Sequence, residues 1–166
     1  MKFPALDNLL SERIVLLDGA MGTNIQQKNL TEEDFRGIKL KNHPNDQLGN
    51  NDILSITQPE VILEVHRDFL DVGCDIIETN TFNSNSISQQ HYGTSNQVYE
   101  LNLSAAHIAR RAVQEAVTKD PSQPRFVAGA IGPTNKTLSL SPDVDDPGFR
   151  DITFEDLQMS YLNLKM

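Results

Sequence analysis

A single cysteine, no tryptophan and an aromatic content of 6% over 166 residues leave this chain without several common devices. One thiol forms no intramolecular disulfide and cannot supply a multi-thiolate metal site, so a secreted disulfide scaffold is excluded and a reducing compartment fits. Positive charge is also scarce, with 14 Lys plus Arg against 23 Asp plus Glu and a net charge of -9. That balance repels phosphate backbones and anionic lipid unless a local cation stripe reverses it. The densest basic stretch is only Arg110-Arg111, so neither nucleic acid nor a membrane surface is an expected partner. Long apolar runs are missing too: Asp7 and Glu12 interrupt the amino-terminal stretch before it reaches signal-peptide length, and no segment is long enough to span a bilayer. The expected location is the cytoplasm.

What is present is an alternation of strand-like and helix-like segments. Ile14 to Leu17 is a continuous apolar run halted by Asp18-Gly19, the pattern of a strand buried on both faces. Thr57-Gln58-Pro59-Glu60 has capping-box spacing with an early proline, and Ile62, Val65, Phe69 and Val72 then recur at helical intervals up to Gly73. A second predicted strand runs from Cys74 to Thr81. Val98 to Val117 predicts another helix, with Leu101, Ala105, Ile108, Ala112 and Val113 on its apolar face and Glu100, Asn102, Arg110, Arg111 and Glu115 away from it. Arg125 to Ile131 reads as the third strand. Thr153 to Asp156 then opens a last helix through Phe154, Leu157, Tyr161 and Leu164. Strands of buried type alternating with amphipathic helices predict parallel βα units.

The predicted connections are one-sided. Those from strand to helix are long, Ala20 to Ile56, Phe82 to Gln97 and Gly132 to Ile152, whereas those from helix to strand are short. In parallel βα folds the long loops lie at the carboxyl ends of the strands, where such proteins carry their chemistry. A closed (β/α)8 barrel typically needs about 250 residues, so three units predict an incomplete barrel that behaves poorly in isolation.

Each predicted strand ends in polar or backbone-permissive residues: Asp18 to Thr23, Glu78 to Thr81, and Gly129 to Asn135. Glycines let a ligand approach main-chain N–H groups that can hold a carboxylate, while Asp18 or Glu78 faces an ammonium. The pattern suits a zwitterionic amino acid. Asp18-Gly19 is equally the chemistry of an ordinary turn, whereas a carboxylate at Glu78 in an apolar strand is costly unless paired or facing a site. Gly19-Ala20-Met21-Gly22 lacks the spacing of a dinucleotide loop and no lysine follows it as in a P-loop. His43, His66, His91 and His107 form no zinc-binding pair and read as helix or loop residues, and Cys74, at the amino end of its strand, reads as a core thiol.

The segments LLDGAMGTNIQ (Leu16 to Gln26), EEDFRG (Glu32 to Gly37), NNDILSITQPEVI (Asn50 to Ile62), DIIETNTFNSNSIS (Asp75 to Ser88) and FVAGAIGPTNKTLSLSPDV (Phe126 to Val144) resemble the amino-terminal homocysteine-binding domain of cobalamin-dependent methionine synthases. The resemblance covers nearly the whole chain. It implies a single partial homocysteine-binding domain over residues 1–166, the first three βα units of an α/β (β/α)8 TIM barrel. It implies homocysteine as substrate, with Asp18 meeting its ammonium, backbone amides at Gly19 and Met21 meeting its carboxylate, and Glu78 and Asn80 lining the same mouth.

In that family zinc lowers the pKa of the homocysteine thiol, and the thiolate takes a methyl group from methylcobalamin held on a separate domain and recharged from methyltetrahydrofolate on another. Three cysteines of later strands bind the zinc. Cys74 matches none of them, so the resemblance places the zinc ligands beyond residue 166 and predicts that this chain alone is inactive. Two other readings stand beside it: a non-catalytic partial barrel used for binding or assembly, and part of a cobalamin-independent homocysteine methyltransferase.

Overall fold

Gln58-Pro59 sets the first turn of the helix around which the molecule is built. Proline takes a first-turn position where no N–H is needed, and α5 runs Pro59–Asp71 with Ile62, Leu63, Val65 and Leu70 buried. The computed structural model describes residues 4–162. Thr57 does not cap α5: it ends the short helix α4 (Leu54–Thr57) that follows a 3-10 turn at Asn51–Ile53, and its hydroxyl donates to the Ile53 carbonyl. Helix α5 closes at Gly73, whose φ of +106° lies in the region that costs glycine least. Val72, expected on the apolar face, is instead 80% exposed: it is the C-cap residue of α5, its amide still bonded to the Asp68 carbonyl but its side chain outside the core.

The sheet is parallel and short. Strand β1 (Ile76–Glu78) pairs with β2 (Phe126–Ala128) in the register Ile76 with Phe126 and Glu78 with Ala128, and Leu17 makes one further parallel bridge to Ile76 on the opposite edge of β1. The predicted strands Cys74–Thr81 and Arg125–Ile131 thus contract to three residues each. Ile14–Leu17 reduces to that single bridge. It is also not buried on both faces: Ile14 is 84% and Leu17 52% exposed, since Leu17 occupies an edge with no neighbour on its outer side among the described residues. Ile77 in the middle strand is fully buried, whereas Val127 on the other edge is not.

Helix α6 (Val98–Lys119) crosses over between β1 and β2 and packs along α5, making one βαβ unit. Leu101, Ile108, Ala109 and Ala112 of α6 meet Ile62, Leu63, Leu70 and Ile77 in the main core. Arg67 forks onto Glu115 at 2.7 and 3.0 Å, and Arg111 reaches back to Glu60, so the rims of the two helices are cross-linked by charge. Asn102 is a correction: it is buried, and its amide donates to the carbonyls of Ser84 and Val98 at 2.8 Å each, tying α6 to the loop that precedes it.

Four more α-helices lie among the described residues. Helix α1 (Pro4–Glu12) precedes the Leu17 segment, α2 (Met21–Gln27) follows it, and α3 is Glu32–Arg36. The stretch from Ala20 to Ile56, expected as one long loop, therefore carries α2, α3, the 3-10 turn and most of α4, with irregular chain between them. A capping box starts α3, with Thr31 and Asp34 satisfying each other's amides. The same device, Thr153 with Asp156, starts α7 (Phe154–Leu162) as expected. Leu164 lies outside the described residues.

At the amino end of the sheet, the buried Asp75 carboxylate receives Arg13 at 2.7 Å and the Leu16 amide at 2.9 Å, with Arg125 at 3.3 Å. These contacts gather the Leu17 segment, β1 and β2 around one anion, and the arginines hold its carboxyl below the usual range.

Candidate functional site

All three parallel segments leave the sheet at the same end, and their exits enclose one cavity of about 320 Å³. Its lining comes from Asp18 to Gly22 after the Leu17 bridge, Glu78 to Asn83 at the end of β1, Ala130 after β2, and Asn51 with Asp52. Asp18, Gly19, Met21, Glu78 and Asn80, far apart in sequence, meet there. The volume is at the small end of ligand pockets, a size suited to a small metabolite.

Asp18 is anchored by the sheet itself. Its amide donates to the Ile76 carbonyl at 2.9 Å, and its Oδ1 accepts from the Glu78 amide at 3.0 Å. Burial, with the nearby Glu78 charge adding to it, pushes the Asp18 carboxyl up to about 6 against the smaller pull of that amide. No cation pairs with it among the described residues. A half-buried carboxylate in that condition gains most from an incoming ammonium.

Ala20 adopts a left-handed φ of +51°, which turns the chain sharply into α2 behind Asp18-Gly19. The first amides of any helix have no acceptor within it, so the turn leaves N–H groups next to the carboxylate. A side-chain carbon at Gly19 would meet nothing within 4 Å, consistent with backbone open to the cavity. Gly132 is different: its bare face is filled by Phe82, and it does not line the cavity.

Asn80 is buried, and its amide nitrogen is already committed, donating to the Asn51 carbonyl at 2.8 Å and Ser55 Oγ at 3.2 Å. Only its carbonyl oxygen is left for a ligand. Thr79 and Thr81 share a 2.6 Å hydroxyl contact and bond the Ala130 amide and carbonyl, so the exits of β1 and β2 are stitched together.

Asp52 is the residue that sequence reasoning missed. It is buried, its Oδ1 accepts from the Asn83 amide and the Ser84 hydroxyl at 2.8 Å each, and burial raises its carboxyl above the ordinary value. Its signal was the run Asn50-Asn51-Asp52 before an apolar segment, an awkward composition for a solvent loop that is then buried. Asn50 lies in the same layer, exchanging amide bonds of 3.0 Å with Gln89.

Zinc does not fit the described residues, among which no three His, Cys, Asp or Glu side chains lie together as a metal site. Cys74 is buried just before β1, at the end of the sheet away from the cavity, and burial raises its thiol when a metal ligand must be a thiolate.

Comparison with known proteins agrees with this architecture. The crystal structure of the metallated homocysteine methyltransferase MmuM from Escherichia coli superposes with a TM-score of 0.60 at 24% identity, covering 77% of this chain and 41% of that one. Its oxidized form gives 0.61 at 25% identity, over 77% and 40%. The chain thus spans about two fifths of that enzyme's length, and the likeness is one of fold: a mixed α/β arrangement with a small parallel sheet. No helix of the described residues is long and apolar enough to cross a membrane. The sequence model for homocysteine S-methyltransferases matches residues 15–164, almost the entire length, and the chain belongs to that family.

Proposed function

We propose that the cavity is the amino-acid half of a homocysteine site, and that the chain serves methyl transfer to homocysteine as part of a cobalamin-dependent methionine synthase. The observation that carries this reading is the convergence of Asp18, Gly19, Met21, Glu78 and Asn80 in one cavity of a homocysteine S-methyltransferase domain. Asp18 takes the ammonium, and the Gly19 and Met21 amides take the carboxylate. Glu78 adds negative charge on the ammonium side, and the Asn80 carbonyl accepts a remaining N–H. The substrate is held by its backbone end, which leaves its thiol free to react.

What supports a cobalamin-dependent synthase is Gly132 to Val144, GPTNKTLSLSPDV, the segment that resembles that group, while the choice of methyl donor rests largely on partners and residues outside this chain. Residues 1–166 form a partial homocysteine-binding domain on this reading, cobalamin and folate domains of the same protein are the partners, and the compartment is the cytoplasm. Zinc would activate the thiol, but the described residues of this chain do not supply its ligands, so their part is to bind and orient.

Calorimetric titration with L-homocysteine tests the site. Asp18→Asn keeps the shape and an acceptor for the Glu78 amide but loses the charge, and a charge-assisted bond of about 1.5–3 kcal/mol corresponds to roughly a 10- to 150-fold weaker affinity. Affinity of the unsubstituted protein should also fall as pH drops through about 6, where Asp18 takes up its proton. Equal affinity in the two proteins at pH 8 would refute the assignment.

A further inference from the structure

Phe82 stands four residues beyond β1, lines the cavity and is 58% exposed. The backbone beneath it is gripped from two sides. On one side the buried Asp52 carboxylate holds the next two residues through the Asn83 amide and the Ser84 hydroxyl. On the other side lies Gly132, where a side-chain carbon would sit 2.2 Å from the Phe82 carbonyl oxygen and 2.8 Å from Cγ of its ring. A backbone atom cannot yield that distance without moving the loop, so only glycine admits the contact. Gly132 is itself held, because its carbonyl accepts the Tyr161 hydroxyl of α7 at 2.8 Å.

We propose that Phe82 is the specificity-determining wall for the sulfur-bearing side chain of the bound amino acid, and that Gly132 and Tyr161 are positioning residues that hold it there. The proposal rests on the reading of the cavity as the homocysteine site. Apart from Met21, the rest of the lining is polar or small and suits the ammonium and carboxylate common to all amino acids. Phe82 offers what distinguishes homocysteine: an apolar, polarizable face for methylenes and sulfur. Helix α7, remote in sequence, thereby sets the selectivity of a cavity it does not line.

The absence of tryptophan provides the test. Phe82→Trp installs a sole indole at the wall. Adding Gly132→Ala or Tyr161→Phe should shift its emission to the red and increase its quenching by acrylamide, and an emission unmoved by both would overturn the positioning role. Tyr161→Phe, which removes one hydroxyl, serves if Gly132→Ala fails to fold. In a phenylalanine background, Phe82→Ala should weaken L-homocysteine by about 10-fold or more while leaving L-alanine nearly unchanged; equal losses for both would overturn the specificity role. If the unsubstituted protein binds no L-homocysteine, the cavity reading fails and the specificity role with it, while the indole emission still decides the positioning.

Discussion

Asp18, half-buried, and His66, fully buried, are titrating residues whose protonation pulls the fold in opposite directions over the same pH interval. Asp18 is pushed up to about 6 from an ordinary value of 3.8, so its carboxylate costs stability above about 6, and protonation relieves that cost as pH falls toward 4. His66 is fully buried on α5 with neither ring nitrogen bonded, and burial brings it down from 6.5 to about 4. Its neutral form is the folded one, so stability is lost as pH falls from 6.5 to 4. His66→Leu should therefore raise stability by about 1 kcal/mol at pH 8, by removing an unsatisfied polar group, and its advantage should widen toward pH 4. Asp18→Asn should show its stability advantage above pH 6 and lose it below about 4. Urea denaturation of each variant across pH 4 to 8 checks both trends, and parallel curves for variant and parent would contradict them.

At the scale of elements, the contacts at Asp75 do what the strands are too short to do alone. Three-residue strands contribute few ladder bonds, and the Leu17 segment contributes a single bridge. Asp75→Ala leaves Arg13 and Arg125 without their shared anion and should cost about 2–4 kcal/mol, the lower end following from the partial exposure of Arg13. Because the folded carboxyl lies below 3.8, this contribution is complete above that value and fades as pH falls through the lowered one. The gap between the thermal melts of parent and variant should therefore be wide at pH 7 and narrow near pH 2, and an equal gap at both would contradict this.

Long periodic elements were legible in the sequence. The runs through Ile62 to Phe69 and Leu101 to Val113 fall within α5 and α6, and polar residues after apolar runs located Asp18, Glu78 and Asn80. What was illegible depends on distant partners. Thr57 has capping spacing, yet Pro59 begins α5 one residue too late for it. Asn102 looks like a solvent residue until the Ser84 carbonyl arrives beside it. Gly132 looks like an opening for a ligand until Phe82 occupies the space.

Taken whole, the molecule gathers a polar cavity at one end of its sheet without the donors for thiol activation among its described residues. A polypeptide of these 166 residues, given zinc, L-homocysteine and methylcobalamin, should form no methionine above a no-protein control, and turnover above that control would refute this. The anion at Asp75 also bears on how the chain reaches its fold. Arg13 and Asp75 are 62 positions apart, so their contact closes a long loop, while the α5–α6 layer and the βαβ crossover are assembled from closer segments. Loop closure over that span costs little more than over the stretch from Ile76 to Phe126, so the order is set by available surface: the Leu17 segment docks on β1, which is buried only once α5, α6 and β2 have packed. The amino-terminal segment should then dock late, so that loss of the Arg13–Asp75 pair speeds unfolding and leaves the folding rate nearly unchanged.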